Sequence, residues 1–320
     1  MRKDFCLCFN DAYVPYASVA IKSIMDHAKP NDEIVIHIFS DYLSDANVEF
    51  LRQWNIEFHI ITDDCVFQGI DTSVWSIYTL YRLFLPNYLN SDIHKVLYLD
   101  CDVVVNDNLD ELFEIDLTGK AFGACLDPQT NNKEVFTRLE YKSSKGYICA
   151  GVLLMNLDYW RENDLSNRVV NYMKSNPDKI IFLEQDALNY LCCDNKIILP
   201  PSYGVQVSFF RDRRFIKEYI SEINTLIDSP AIIHYAGYHP WVYCKDKSIH
   251  SNLWWETYKS LNQFPQVKID YVKSIFKYFL RFVLSKLHLI NRHSKYHIDQ
   301  YYNHPKVSKR SVVKLINEIE

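Results

Sequence analysis

Glycine is scarce in this chain, with 7 residues in 320 against a usual share of ~7%. None of the seven falls in a G-x-G-x-x-G or G-x-x-x-x-G-K-[ST] pattern. The glycine-rich phosphate cradles are therefore missing, and a nucleotide must be gripped by other means. No apolar run approaches the ~18–20 residues of a membrane span. Met1 to Asp4 leads into only five apolar residues before Asn10 and Asp11, too few for a secretory leader. The nine cysteines include no C-x-x-C; Cys6 and Cys8 share one strand-like run and Cys192 and Cys193 are adjacent. That spacing suits neither zinc nor a disulfide framework. Reduced, mostly buried thiols and a cytoplasmic setting are expected.

What is present supports one large core, since 48% of residues are hydrophobic and 23% charged. The net charge of −5 is unevenly spread: residues 266–320 carry 11 Lys and Arg against 4 Asp and Glu, while 1–265 carry 24 against 36. An acidic body with a basic tail implies two different surfaces. Residues 1–265 are expected to form one catalytic-type domain and 266–320 a basic helical appendage. In 271–290, Lys273, Ser274, Lys277, Arg281, Ser285 and His288 gather within about 120° of a helical wheel, and almost everything else is apolar. That pattern predicts a helix lying on an anionic membrane surface, the alternative being a helix packed on the body. Nucleic acid is not an expected partner, because the body is acidic and its aromatics form no basic-interleaved strip.

Apolar runs and helical spacing alternate. Asp4–Phe9, Glu33–Ser40, Ile56–Thr62 and Lys95–Leu99 read as strands, and Val14–His27, Ser44–Trp54 and Ser76–Leu85 as helices. Such alternation predicts an α/β fold with a mostly parallel central sheet and helices on both faces. Beyond Asp116 the pattern is mixed. Strands are expected at Ala121–Leu126, Ile148–Asn156, Lys196–Leu199 and Ala231–Tyr235, helices near 157–176 and 184–193, and a polar loop at 128–146. Ligands of parallel sheets bind beyond the carboxyl ends of the strands, which directs attention to Phe9-Asn10-Asp11 and Asp100-Cys101-Asp102.

Asp100 and Asp102 are two positions apart at a strand end, so both carboxylates can converge on one hard cation. A D-x-D pattern arises about twice by chance in a chain this rich in Asp; its position between Val96–Leu99 and Val103–Val105 is what singles it out. His234 ends a second apolar run and would complete an O,O,N donor set, which suits Mn²⁺ better than Mg²⁺ or Ca²⁺. Glu184-Gln185-Asp186 precede an apolar helix, as either catalytic groups or acids favoured by the helix dipole. Arg82, among Tyr78–Leu85, needs an anionic partner, either a protein carboxylate or a ligand phosphate.

Together these segments resemble glycosyltransferase family 8, the retaining, nucleotide-sugar-dependent transferases that include bacterial lipopolysaccharide galactosyl- and glucosyltransferases and glycogenin. The resemblance is carried by Cys8–Tyr13, Tyr78–Leu85, Val96–Val103, Cys149–Asn156, Glu184–Asn189 and His234–Gly237 before Pro240-Trp241, and covers nearly all of 1–265. It implies a GT-A fold, a UDP-sugar donor, a glycan or glycolipid acceptor and a divalent cation, usually Mn²⁺ with Mg²⁺ second. It implies Asp100, Asp102 and His234 as metal ligands, and Cys8, Asn10 and Tyr13 as the uracil and ribose site, with Tyr13 stacked on the base. Cys101, Gly237 and His239 fall in the donor-binding segments. Arg82 and Asp127 would border the donor sugar and acceptor, Ala150 and Gly151 would lay backbone beside the sugar, Glu184 would hold its hydroxyls, and Gln185 would face the reactive carbon. A far-face nucleophile would have to be Gln185 or the nearby Asp186; because an amide is a poor nucleophile, front-side attack with Gln185 as an electrostatic brace is favoured. Departures are Asn10 for the family's Asp, Cys149 for Asn, Glu184 for Asp, and His239 where a Lys usually precedes Pro-Trp. The expectation is a Mn²⁺-dependent hexosyltransferase serving lipopolysaccharide or another surface glycan, peripheral on the cytoplasmic face of the inner membrane. The alternatives are a UDP-sugar-binding protein without turnover and a glycogenin-like self-glucosylating enzyme.

Overall fold

The fold was obtained as a computed structural model, and it describes residues 1–73, 75–211, 213–237, 239–241, 249–261 and 309–319. Its strands are β1 (Arg2–Cys8), β2 (Glu33–Ser40), β3 (Ile56–Ile60), β4 (Lys95–Leu99), β5 (Val103–Val105), β6 (Phe122–Leu126), β7 (Ile148–Asn156), β8 (Lys196–Ile198), β9 (Val205–Gln206) and β10 (Ile232–His234). Seven of them form a sheet in the order β3-β2-β1-β4-β7-β6-β8, and β5-β10-β9 form a second, smaller one. In the large sheet β1–β2, β2–β3, β1–β4 and β6–β8 pair in parallel, whereas β7 is antiparallel to both β4 and β6. The α/β architecture and the mostly parallel sheet are as expected from the sequence.

Period-two alternation explains why the central strands read as continuous apolar runs. Phe5 and Leu7 of β1, Leu97 and Leu99 of β4, and Val152 and Leu154 of β7 enter one apolar cluster. Their neighbours Cys6, Cys8, Val96, Tyr98, Leu153 and Met155 enter another on the opposite face. Helix Val14–Asp26 covers the first face with Val14, Ala17, Ala20 and Ile21, and helices Leu165–Ser175 and Leu183–Leu191 help cover the second.

Local structure departs from the sequence expectation in three places. Ile77–Phe84 is a 3-10 helix rather than an α-helix. An α-helical turn, Leu85–Tyr88, follows it directly, with Pro86 in the first turn, where its missing N–H is not needed. The supposed polar loop at 128–146 contains helix Lys133–Leu139, whose Val135, Phe136 and Leu139 bury a small cluster with Tyr147. The helix expected over 157–176 is broken at Asn163-Asp164 into Leu157–Glu162 and Leu165–Ser175, with Asp164 left-handed at φ 47°.

The tail helix expected over 271–290 lies outside the described residues. Nearer the end, helix Lys309–Asn317 is described, and it packs Val312 and Ile316 against Val205, Phe209, Phe215 and Leu226. Val312 is 1% exposed and its neighbour Val313 42%. Val312→Asp should therefore lower unfolding free energy by about 3 kcal/mol through burial of an unpaired carboxylate. Val313→Asp should leave the urea midpoint almost unchanged. Equal effects of the two substitutions would show that this helix is not seated as described.

Candidate active site

The chain leaves the large sheet at Leu99 and enters the small one at Val103, so Asp100-Cys101-Asp102 bridge the two. Asp100 remains tied to the large sheet, its N–H donating to the Gly151 carbonyl (2.8 Å). Antiparallel pairing of β5 with β10 sets His234 opposite Val103, and the Tyr235 N–H donates to the Asp102 carbonyl (2.9 Å). Those two registers bring the side chains together. His234 Nε2 lies 3.2 Å from Asp102 Oδ1 and 3.6 Å from Asp100 Oδ2. One donor atom from each of the three residues fits within 4.8 Å of the others. Gly151 makes room for them: a Cβ built there would stand 2.7 Å from Asp100 Oδ2 and 2.8 Å from His234 Nδ1. This donor set, two carboxylates and an imidazole around a cradle that a methyl group would fill, fits a divalent cation such as Mn²⁺.

Arg82 organises the adjoining wall. It is buried, its Nη2 donates to Asp100 Oδ1 (2.9 Å), its Nε to the Thr79 carbonyl (2.8 Å), and its Nη1 to the Ala150 carbonyl. Its guanidinium carbon sits 4.1 Å from the centre of the Tyr98 ring, and Nε is 3.1 Å from Glu184 Oε1. The anionic partners that the sequence required are thus protein carboxylates. Asp100 Oδ1 is also fixed by the Tyr98 hydroxyl (2.8 Å), leaving Oδ2 to face His234.

Glu184 and Gln185 occupy the first turn of helix Leu183–Leu191, which begins on a left-handed Leu183 at φ 43°. A buried β-region or helical residue would be the ordinary choice there, and such a conformation is held only by its surroundings. Asp186 supplies the hold. Its Oδ2 accepts from the N–H groups of Ile181 (2.7 Å) and Phe182 (2.8 Å) and from Arg138 Nη1 (2.8 Å). Its Oδ1 accepts from the Tyr147 hydroxyl (2.7 Å) and Arg138 Nη2 (3.0 Å). Both Asp186 oxygens are thus committed to the turn and its neighbours. Gln185 is aimed differently: Oε1 accepts from the Ala150 N–H (2.8 Å) and Nε2 donates to the Tyr147 hydroxyl (3.2 Å). Glu184 Oε2 is buried without a partner.

The remaining expected residues surround this centre unevenly. Cys8 ends β1, and Asn10 follows with a buried, unpartnered Oδ1. Tyr13 packs between Tyr16 (4.9 Å) and Trp241 (6.1 Å). His239 stacks on Trp241 at 4.7 Å and places Nδ1 3.4 Å from Asp102 Oδ2. Asp127 starts the turn Pro128–Asn131 by accepting from the Gln129 N–H (2.8 Å). Cys101 differs from a donor contact by side chain: its thiol is buried in the apolar cluster and reaches the Cys8 carbonyl at 3.6 Å. Gly237 is an exposed turn residue at φ 70°. The sequence reading missed Tyr98, Arg138 and Tyr147. Tyr98 had a signal, lying two residues before Asp100 and so on the same strand face; Arg138, on the unforeseen helix Lys133–Leu139, and Tyr147, just ahead of β7, had none.

Charge balance sets the protonation of the site. Burial raises Glu184 to about 7 even against the pull of Arg82. Asp102, also raised by burial, is overcome by His234 and His239 and held at about 2. Burial likewise raises Asp127 to about 6.

The fold is of the GT-A type, matching a solved galactosyltransferase, and the family comparison agrees. A family model described as Glycosyl transferase family 8 matches residues 5–245. The chain belongs to that family and is a hexosyltransferase. It is 24% identical over 284 residues to a lipopolysaccharide 1,2-glucosyltransferase of Escherichia coli, covering 84% of this chain and 80% of the relative. It is 27% identical over 297 residues to glycosyltransferase GlyF of Streptococcus pneumoniae, covering 89% and 68%. Among solved structures, the galactosyltransferase LgtC in complex with donor and acceptor sugar analogues superposes with a TM-score of 0.73 at 28% identity, covering 82% of this chain and 98% of that one. Among the described residues no helix is long and apolar enough to cross a membrane.

Two outcomes follow from the geometry. Gly151→Ala should weaken Mn²⁺ binding at least about tenfold, measured by titration calorimetry, because the methyl group displaces two ligands; undiminished affinity would mean the cation sits elsewhere. The second concerns pH. Glu184 ionises near 4.5 when unfolded and near 7 when folded, so the unfolded state loses its proton first and stability falls as pH rises through that window. Glu184→Gln should lose that component and gain on the wild type by roughly 2–3 kcal/mol between pH 4 and pH 8. Urea unfolding of the metal-free protein across that range reads the difference, and parallel curves for the two proteins would contradict it.

Proposed function

We propose that the protein transfers a hexose, galactose or glucose being favoured, from a UDP-sugar to a lipopolysaccharide or other cell-surface glycan, with retention of configuration. The observation that carries this reading is the meeting of Asp100, Asp102 and His234 with Arg82, Glu184 and Gln185 beyond the carboxyl end of the central strand β4. The named activities of the relatives support the class of donor and acceptor, one being a lipopolysaccharide glucosyltransferase and another a galactosyltransferase.

In this reading Asp100, Asp102 and His234 hold the cation, with Mn²⁺ favoured and Mg²⁺ second. The cation when bound supplies Lewis-acid stabilisation of the charge developing on the UDP leaving group. Tyr13 receives the uracil, and Cys8 and Asn10 flank it and the ribose; the unpartnered Asn10 Oδ1 is an acceptor for a base or sugar N–H or O–H. The strand-end backbone at Cys101 and the turn at Gly237 border the diphosphate, which His239 meets in place of the family's Lys. Ala150 and Gly151 lie along the sugar, with Asp127 and Arg82 at its border with the acceptor. Glu184 Oε2 takes a sugar hydroxyl, which satisfies an otherwise orphaned buried oxygen.

Retention then needs either a covalent intermediate or attack from the face the leaving group vacates. Asp186 is committed to backbone N–H groups and Arg138, and the Gln185 amide is a poor nucleophile. We therefore favour front-side attack by the acceptor hydroxyl, with Gln185, oriented by Ala150 and Tyr147, bracing the positive charge that develops at the sugar carbon. The basic tail, by its composition, is assigned to an anionic membrane surface on the cytoplasmic face.

The test is UDP release from UDP-galactose, UDP-glucose, UDP-N-acetylglucosamine and UDP-galacturonate, with Mn²⁺ and with EDTA. One donor should be hydrolysed slowly in a metal-dependent manner, and Asp102→Asn should reduce that rate at least about 100-fold. UDP binding without release from any donor, even with glycan acceptors added, would instead favour a sugar-nucleotide-binding protein.

A further inference from the structure

The outer strands of the large sheet carry a second group of donor atoms that the transferase reading does not use. β2 and β3 pair in parallel with His37 opposite Glu57 and Phe39 opposite His59. Ile36 and Ile38, and Ile56 and Phe58, turn to one apolar face, so His37, Glu57 and His59 share the other. There His37 Nδ1 lies 3.2 Å from His59 Nε2 and 3.3 Å from Glu57 Oε2, and the three donors fit within 4.8 Å of one another.

These rings are held from behind. His37 Nε2 lies 3.0 Å from Asp4 Oδ1, and that carboxylate is gripped by Arg2 Nε (3.0 Å) and Nη2 (2.9 Å). Asp4 accepts a hydrogen bond from the His37 Nε2–H and so turns Nδ1 toward Glu57 and His59, the arrangement by which a carboxylate orients a metal-binding histidine. The His59 ring is stacked on Phe39 at 4.5 Å and 18°. One cation satisfies all three donors.

We propose that His37 Nδ1, Glu57 Oε2 and His59 Nε2 form a second metal site that takes a zinc-class divalent ion, with water completing the coordination, and that the ion clips edge strand β3 to β2. Two imidazoles and a carboxylate favour Zn²⁺ over Mn²⁺ or Mg²⁺. The edge of a tetrahedron with metal–ligand bonds of about 2.0–2.1 Å is about 3.3 Å, and the two closest donor separations match it. Glu57 is 53% exposed at its side chain, so an ion can enter from solvent. The Asp100–Asp102–His234 group differs in both donor chemistry and position, lying at the carboxyl ends of the strands rather than along β2 and β3.

The experiment uses the full chain carrying Asp102→Asn, which weakens the first site, so that failure here is separate from failure of the transferase reading. Zn²⁺ added against a chromogenic chelator should bind at one equivalent, Co²⁺ should give the intense visible bands of a four-coordinate ion, and Zn²⁺ should raise the unfolding temperature. Adding Glu57→Gln or His59→Gln should weaken Zn²⁺ at least about tenfold and abolish the thermal shift, and Asp4→Asn should weaken it about tenfold through the lost orientation of His37. Glu57 is exposed, so its variant keeps the experiment decisive if the histidine variant folds poorly. Absence of Zn²⁺ binding in the Asp102→Asn chain, or undiminished binding after Glu57→Gln and His59→Gln, would overturn the proposal.

Discussion

A single buried guanidinium sets the geometry on which the rest of the site depends. Arg82 is 2% exposed, and a cation so placed must be compensated within hydrogen-bond distance. Its compensation comes from two carboxylates with separate duties, Asp100 at the end of β4 and Glu184 at the start of a helix. By taking Asp100 Oδ1 together with the Tyr98 hydroxyl, Arg82 leaves only Oδ2 directed toward His234. By sharing its charge with Asp100, it does not fully offset the burial of Glu184, which is why that carboxyl keeps its proton to about 7. One guanidinium thus turns Asp100 Oδ2 toward His234 and holds Glu184 beside it.

That arrangement is possible because the chain changes sheets between Leu99 and Val103. Had β4 continued, Asp100 and Asp102 would have remained on one strand with no third ligand nearby. Instead β5 pairs with β10, and the register of that short ladder sets His234 level with Val103. The antiparallel course of β7 matters equally, since it brings the Gly151 carbonyl opposite the Asp100 N–H. In a chain with only 7 glycines, one is spent where two ligating side chains pass over the backbone.

The sequence disclosed those parts of the molecule whose physics is local. Buried parallel strands produce apolar runs, and the runs at 33–40, 95–99 and 148–156 became β2, β4 and β7 with little change of boundary. The D-x-D at a strand end was legible for the same reason, because polar residues that interrupt such a run need a purpose. What stayed hidden depended on distant partners. Whether Asp186 was a catalytic or a helix-start acid could not be decided from Glu184-Gln185-Asp186 alone, since each acid fits both roles. The contacts that hold Asp186 come from Arg138, on a helix that its polar surroundings concealed, and from Tyr147 just ahead of β7. The 3-10 geometry of Ile77–Phe84 was equally hidden, because its apolar spacing fits either kind of turn.

The three adjacent residues Glu184, Gln185 and Asp186 show how one turn divides its labour. A left-handed Leu183 costs free energy in any chain, and Asp186 offsets it by accepting from both N–H groups ahead of the turn. The carboxylate that looks most like a nucleophile is for that reason the least able to attack. Its commitment fixes the direction of Gln185, whose amide bridges the Ala150 N–H and the Tyr147 hydroxyl. Tyr147 in turn donates to Asp186, so Gln185 and the residue holding the turn share one hydroxyl. A rigid amide in that place is suited to stabilising charge rather than forming a bond, which supports the front-side attack proposed above.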